Sequence, residues 1–474
     1  LRILLVEPPK KFWFLMGEYL PPPLGLLQLA AFLEAKEKGL EIEVLDCQAQ
    51  GIDWRGLEQR VEACNPDIVA SSGLSTCNAY IAAHVLEVAK KVNPGTLTVT
   101  GGQHFTALAQ ESLEEYPEID VIVRGEGEQS FTDLVQAFKE KRSLAQVQGI
   151  SYRQDGVIIH TSERVLIQDL DDLPMPGYHF VEDHIGKYHF TMMAGANNRY
   201  GLIEGSRGCP YRCTFCTQWR FWQGRRRVKT PRRIADEMRL CHERYGMNFL
   251  WLTDDNLGLG PHMNTLCDEI LEHDFGDDFM WFIQARCDDV AKHKNLLPKM
   301  RRAGIQWMLL GVESPNKGTL EGLNKDLNPE DAETAVKALK ENGIFAQATF
   351  IIGDRKDTPQ SITAVTDFAN HLETDLSLFM VLTPFPGTML YETAKRENWI
   401  EDTNWMNYDM VHAIMPTEAL TRLEVQEQLY DCYHRYYGSW AKRFKGLLSK
   451  NKLVRRTYRY LAGQALLTQL RNLF

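Results

Sequence analysis

Short apolar runs alternate with longer stretches of helical periodicity through the first third of the chain, and this alternation predicts its architecture. Leu1 to Val6 reads as the first buried strand of a parallel sheet. After a proline-rich loop, Pro21-Pro-Pro-Leu-Gly25 opens a helix that runs to about Lys38. Further strands are predicted over Glu41 to Asp46, Asp67 to Ser72, Leu97 to Gly102 and Val121 to Arg124. Helices fall over 54–64, over Ala79 to Val92, and from Gly125-Glu126-Gly127-Glu128 through Phe138. Strands separated by helices predict a doubly wound α/β domain over residues 1–145. Ligands of such sheets sit at the C-terminal ends of the strands. Those ends carry Pro8-Pro9, the loop Ser71-Ser72-Gly73-Leu74-Ser75-Thr76, Gly101-Gly102-Gln103-His104 and Arg124-Gly125-Glu126. Their glycines let the backbone approach a large ligand, and none of these loops is a dinucleotide fingerprint.

The pattern changes after residue 145. Gln148 to Arg153 and Val157 to His160 predict a small hairpin across Gln154-Asp155-Gly156. The acidic, proline-bearing run Asp169 to Pro176 marks a boundary, so residues 146–199 read as a linker. His179, His184 and His189 lack the spacing of a metal site and are expected to serve packing. Six apolar strands follow: Gly201 to Glu204, Asn248 to Asp254, Met280 to Arg286, Trp307 to Glu313, Ala346 to Gly353 and Asp375 to Thr383. Helices separate them, the first opening at Thr230-Pro231. Six strand–helix units predict a partial (β/α)6 TIM barrel over 200–395, with its chemistry at the C-terminal strand ends. Residues 396–474 predict a helical extension, with Trp405 and Tyr408 in a loop and a helix over Glu424 to Trp440.

A chain of 474 residues fits two or three domains, and 44% apolar with 24% charged residues is the composition of a globular protein. A net charge of −10 argues against nucleic acid as a partner. The ten cysteines include only one tight cluster, unlike a disulfide framework, and place the chain in a reducing, cytoplasmic and anaerobic setting. Leu1 to Val6 is too short for the apolar core of a signal peptide, and no apolar run reaches the ~18 residues of a membrane span. The C-terminal end departs from the acidic balance. No Asp or Glu follows Asp431, and ten Lys or Arg residues from Arg435 on are interleaved with Tyr458, Tyr460, Leu461, Leu466 and Leu467. Such an end suits anionic lipid as a peripheral membrane contact, an acidic substrate or an acidic second protein. It equally suits docking on its own barrel.

The cluster of cysteines lies in Arg207-Gly-Cys-Pro-Tyr-Arg-Cys-Thr-Phe-Cys-Thr-Gln-Trp-Arg-Phe-Trp222, with Cys209, Cys213 and Cys216 spaced C-x3-C-x2-C. Soft thiolates select zinc, Cu(I) or iron–sulfur clusters. A structural zinc site closes with four ligands, yet the next cysteine is Cys241. Three cysteines on a cubane leave one iron open. This spacing resembles the radical S-adenosylmethionine (SAM) superfamily signature. The resemblance implies a 4Fe-4S cluster whose open iron chelates SAM, an external one-electron donor such as flavodoxin or ferredoxin, and a 5′-deoxyadenosyl radical as the product of C5′–S cleavage. It also implies SAM contacts at successive strand ends: Asp254 or Asp255 for the ammonium, Arg286 for the carboxylate, Glu313 and Ser314 for the ribose, and Gly353 beside adenine. Phe215 would shield the cluster or pack near adenine. Trp219, Phe221 and Trp222 fit core and substrate-facing roles equally. The run Gly224 to Arg227 suits an anionic group, although a solvated face is the commoner fate of such runs.

The first third resembles the Rossmann-like cobalamin-binding domain found before many radical SAM barrels, through Pro22-Pro-Leu-Gly-Leu26, Gly101-Gly-Gln-His104 and Val123-Arg-Gly-Glu-Gly-Glu128. That resemblance implies cobalamin contacts from Ser72, Ser75, Thr76, Gly101, Gly102, His104, Arg124, Gly125 and Glu126. The D-x-H-x-x-G motif that supplies a cobalt-ligating histidine elsewhere is absent, so His104 is expected to line the site without being such a ligand. The whole order resembles the class B cobalamin-dependent radical SAM enzymes, and residues 213–222 with Arg227 to Pro231 are similar to the anaerobic magnesium-protoporphyrin monomethyl ester cyclases. The class implies hydrogen abstraction from an unactivated carbon, followed by methyl transfer from methylcobalamin. Its alternative is oxidative ring closure on a porphyrin. The substrate is accordingly a small molecule, a porphyrin or a protein side chain.

Overall fold

The computed structural model describes every residue except 11–18, 74, 192–197, 440–443, 445 and 472–474, and describes 464–471 by backbone alone. Leu74, Met193 and Trp440, and the side chains of Leu466 and Leu467, therefore lie outside the described residues. The first sheet takes β1 (Arg2–Glu7), β3 (Glu41–Asp46), β4 (Ile68–Ser72), β5 (Leu97–Gly101) and β6 (Val121–Val123); β2 (Tyr19–Leu20) lies elsewhere. These five strands are parallel in the order β3-β1-β4-β5-β6, which puts a topological switch between β1 and β4. The predicted hairpin forms as β7 (Ile150–Gln154) and β8 (Val157–His160), but not as a free linker. Its first strand pairs antiparallel with β6, so the hairpin extends the first sheet to seven strands. Ile150 and Tyr152, both buried, supply the apolar face that makes this addition favourable.

The second sheet is β10 (Tyr200–Ile203), β13 (Phe249–Leu252), β14 (Met280–Arg286), β15 (Ile305–Glu313), β16 (Phe345–Ile352) and β17 (Leu376–Val381), all parallel and in chain order. Two short pairs complete the strands: β2 with β9 (His189–Phe190), and β11 (Ser206–Arg207) with β12 (Arg227–Val228). Alternation along the barrel strands sorts two cores. Leu250, Leu252, Ile283, Met308, Ala346 and Phe379 join the apolar body that the helices also share. Phe249, Phe282, Trp307, Phe345 and Leu378 turn the other way and fill the barrel interior. Many of these interior residues open their strands, so the aromatic filling occupies the N-terminal half and leaves the C-terminal ends for chemistry. Tyr19 and Phe190 close that filling, joined by Leu453, Val454 and Tyr458 of the last helix (Lys452–Arg471). The described part of the basic tail thus docks on its own barrel. Among the described residues, no helix is long and apolar enough to cross a membrane.

Six strands do not close a barrel, so β10 and β17 each keep a free edge, and unpaired edge groups must be satisfied. Tyrosine hydroxyls do this on both sides. The Tyr178 hydroxyl donates to the Leu202 carbonyl at 2.6 Å and accepts from its amide at 2.9 Å. On β17, Tyr437 spans the amide and carbonyl of Ser377 (3.0 and 2.7 Å), and Tyr433 spans those of Phe379 (3.1 and 2.9 Å). Both come from the helix Arg422–Tyr437, shorter at its end than predicted, which begins in a capping box of Thr421 with Glu424. Tyr437→Phe would leave both Ser377 groups without their side-chain partner. We expect a loss of about 1–3 kcal/mol in urea unfolding, and an unchanged midpoint would refute the edge-capping role.

Candidate functional site

The cysteine loop is an excursion whose two ends are zipped together. Ser206 pairs with Val228 and Arg207 with Arg227 in the β11–β12 ribbon. Gly208 turns the chain at φ +84°, and a Cβ there would stand 2.2 Å from the Arg225 carbonyl, so no other residue fits. Three backbone anchors hold the loop on the barrel: Thr214 N to Leu323 O at 2.9 Å, Leu390 N to Thr214 O at 3.0 Å, and Asn324 Nδ2 to Arg212 O at 2.7 Å. A fourth reaches the other domain, where the Thr217 hydroxyl donates to Gln103 Oε1 at 2.7 Å. Phe215 packs with Leu323, Ile351 and Leu382, which places it on the barrel side of the loop. Burial raises the Cys213 thiol and pushes Cys216 up to about 12, so thiolates there require a cation to form. Among the described residues no three His, Cys, Asp or Glu side chains stand close enough to share one metal ion. The donor set of three thiols on one loop fits a cubane, in which each thiolate takes its own iron.

The strand ends converge around this loop. Asp254 is buried, accepts from the Gly205 amide at 3.0 Å, and is pushed up to about 7, chiefly by burial. Its Oδ1 has no partner in hydrogen-bonding geometry, though the Ser206 hydroxyl lies beside it. Asp255 is also raised to about 7, by burial first and then by Asp254 and Glu204, while Trp222 and the Gly208 amide pull it down. Asp255 is close enough to raise Cys216 electrostatically, which makes it the carboxylate nearer the cluster loop. An unpartnered buried carboxylate oxygen beside a raised second carboxylate suits an ammonium ligand.

Four other expected SAM contacts stand differently. Arg286 is buried, but its fork is spent on Asp288 (3.0 and 3.3 Å) and the Asp326 carbonyl, while its face stacks on Tyr211 at 3.6 Å. Glu313, strained at φ +63°, makes a buried ion pair with Lys325 at 2.6 Å, and Ser314 accepts from the Asn316 amide. Gly353 does not leave open space. Its φ of +84° requires glycine, but the place of a Cβ is covered by Val425 at 3.1 Å and Val381 at 3.4 Å.

On the first sheet, the glycines at the ends of β5 and β6 stand in two kinds of place. A Cβ on Gly101 or Gly102 would meet the carbonyl oxygens of Val123 or Gly73 at 2.8 and 2.7 Å, and above Gly125 nothing lies within 4 Å. Ser75 and Thr76 stand at the β4 end with Ser72; Ser75 accepts from Asn78 at 3.0 Å. Three expected cobalamin contacts have partners within the chain. His104 is buried against Phe105 and Trp405, its Nδ1 unpartnered, and burial lowers it to about 4, so it packs as a neutral ring. Arg124 ties down the hairpin through the carbonyls of Ile150 and Thr161. Glu126 belongs to an ionic clamp between the two halves of the chain. Arg207 places Nη1 on Glu126 (2.6 Å), Nη2 on Glu128 (2.6 Å) and Nε on Glu204 (2.8 Å), while Arg227 reaches Glu126 at 3.0 Å. The Glu128 carboxyl is held down by the Arg207 charge against burial.

Arg207, Glu128, Glu204, Lys325, Tyr211, Gln103 and Thr217 are the site residues that sequence reasoning did not single out. A run of like charge hinted at one of them, Arg207. Gly205 to Ala235 holds nine Lys or Arg and no acid, facing a glutamate-rich loop over 126–128. The partner of each, however, is fixed only by the folded chain.

Known proteins match this arrangement. The B12 binding domain family matches residues 16–135 and the Radical SAM superfamily residues 203–369. An uncharacterized methyltransferase of Pyrococcus horikoshii is 29% identical over 442 residues, covering 92% of each chain. An anaerobic magnesium-protoporphyrin IX monomethyl ester cyclase of Rubrivivax gelatinosus is 30% identical, covering 89% of this chain and 74% of that protein. The fold is that of the radical SAM methyltransferase TsrM of Kitasatospora setae with cobalamin and its iron–sulfur cluster bound: TM-score 0.70 at 17% identity, over 92% and 88% of the two chains.

Two outcomes follow from these charges. Arg207→Met strands the buried Glu128 and leaves Glu126 to Arg227 alone among the cations, and is expected to cost about 3–5 kcal/mol in chemical unfolding; a loss within 1 kcal/mol, roughly that of a surface pair, would refute the clamp. Asp254 binds its proton more tightly folded than unfolded. The stability from that proton is full below the ordinary value of 3.8 and is lost as pH rises to about 7. Asp254→Asn should flatten the decline of the urea midpoint across this window, and parallel profiles for the two proteins would count against it.

Proposed function

Because the chain belongs to the cobalamin-dependent radical SAM enzymes, we propose that it is a methyltransferase that methylates an unactivated carbon. When bound, the 4Fe-4S cluster with SAM supplies hydrogen-atom abstraction, and cobalamin supplies the methyl group. In this reading Cys209, Cys213 and Cys216 hold the cluster and Gly208 shapes the loop that carries them. Asp255, with Asp254 behind it, takes the SAM ammonium. Glu313 with Lys325 and Ser314 border the ribose, and Arg286 braces the cluster loop through Tyr211. Gly101, Gly102 and Gly125 form the floor under the corrin, with Ser72, Ser75 and Thr76 at the switch beside β1.

The observation that carries the reading is the Thr217–Gln103 bond. It joins the residue after Cys216 to the glycine loop of the B12-binding half, so a methyl donor held on that floor would lie close to a cluster held by the three cysteines. Proximity of this kind is what lets a short-lived carbon radical be trapped. The cyclase reading shares the hydrogen-abstraction step and draws support from the Rubrivivax relative.

Cys213→Ala is expected to abolish 5′-deoxyadenosine formation after anaerobic reconstitution, with cobalamin still bound; retained formation would refute the cluster assignment. Product mass then separates the two readings, one CH2 gained for methylation against oxygen inserted for ring closure.

A further inference from the structure

The basic stretch around the cluster loop is divided into two kinds of charge. Of its nine Lys and Arg, five find carboxylates: Arg207, Arg227, Lys229, Arg232 and Arg233. Arg225 and Arg226 have no carboxylate partner among the described residues, but their donors go to the Gln168 side chain and to the carbonyls of Asn256 and Leu257. Arg212 and Arg220 are different. Both are exposed, and both lie over the ring of Trp219, at 5.8 and 5.4 Å. Arg212 makes no side-chain hydrogen bond among the described residues, and Arg220 makes one long contact, 3.4 Å, to the Gly387 carbonyl. An aromatic ring positions these guanidiniums without neutralising them.

Their place on the chain gives this patch a use. Arg212 directly precedes Cys213, and Trp219 follows Cys216 by three residues. The chain as a whole is acidic on balance, at −10. An acidic protein meets two uncompensated positive charges beside the three cysteines, which favours its approach there over the acidic parts of the surface. Two exposed, unneutralised guanidiniums match a carboxylate-bearing face.

We propose that Arg212, Trp219 and Arg220 form the docking point for an acidic one-electron carrier protein. This rests on the reading that the three cysteines hold a redox cluster. On docking, the cluster gains one electron and the carrier loses one; no bond and no proton is exchanged. The side chains set encounter rate and orientation, so their loss acts on binding of the carrier and leaves the cluster intact.

The test uses the reconstituted full chain and a purified flavodoxin as probe, with Arg212→Glu, Arg220→Glu and the charge-keeping Arg220→Lys. Calorimetric titration with oxidised flavodoxin should show the dissociation constant rising by about tenfold for each Glu variant. Arg220→Lys should stay near the parent, and added salt should weaken parent binding more than variant binding. Formation of 5′-deoxyadenosine should fall by a similar factor with reduced flavodoxin, and stay at the parent rate with titanium(III) citrate. Unchanged flavodoxin binding overturns the proposal. So does a parallel fall with both reductants, which would assign the patch to substrate or to the loop itself. If the parent forms no 5′-deoxyadenosine with titanium(III) citrate, the cluster reading fails first and the docking proposal falls with it.

Discussion

Two arginines buried against three glutamates hold this protein together at the point where its chemistry converges. Arg207 directs all three of its nitrogens at carboxylates, two from the start of the helix Gly127–Lys139 after β6 and one from the end of β10. Charges out of water are costly, and a pair recovers that cost only when nearly every donor and acceptor is matched. Here Arg227 supplies part of the matching from the opposite strand of the β11–β12 ribbon. The consequence is positional. The ribbon that closes the cysteine loop is the same ribbon that docks on the B12-binding half, so the loop cannot shift without breaking ionic contacts. Glu204, shared between the clamp and the two aspartates that it raises, extends this constraint to the expected ammonium site.

The barrel divides its labour along its axis. Its N-terminal half is solid aromatic packing, sealed by the last helix and by β2 with β9. Its C-terminal half carries buried charges, each with a named neighbour. Burial gives every one of them leverage, since the same low dielectric that raises Asp254 also strengthens the Glu313–Lys325 pair. A ligand entering such a site meets several groups already oriented by partners, while the buried Asp254 Oδ1 has none in hydrogen-bonding geometry among the described residues.

What the sequence disclosed follows from range. Local signals were reliable: the strand Met280–Arg286 and the start of the helix at Pro231 agree with the structure, because alternation and capping act within a few residues. The cysteine spacing and the glycine turns are local in the same sense. The hairpin at 150–160 was legible as a hairpin, but its membership of the first sheet depended on pairing with β6. Glu126 shows the limit most clearly. In sequence it belongs to a glycine-rich loop at a strand end, a ligand-binding context; in space its partners are Arg207 and Arg227, 81 and 101 residues away. Gly353 shows another. Its need for a positive φ was hidden behind its small size, and Val425, from a helix past the barrel, fills the room expected for a ligand.

The tyrosine-lined seam of the barrel bears on how wide its mouth can be. In a closed barrel the strand number and stagger determine the diameter, and widening it means tearing a ladder. Here the circumference ends in side-chain hydroxyls: Tyr178 on one lip, Tyr433 and Tyr437 on the other. Each hydroxyl answers a whole backbone residue, yet each hangs on its own rotatable bonds. None of these bonds ties one lip to the other: Tyr178 serves β10 from the segment before it, and Tyr433 and Tyr437 serve β17 from the helix Arg422–Tyr437. The hem of the barrel is thus stitched by segments outside the six strands, and each lip is held independently of the other.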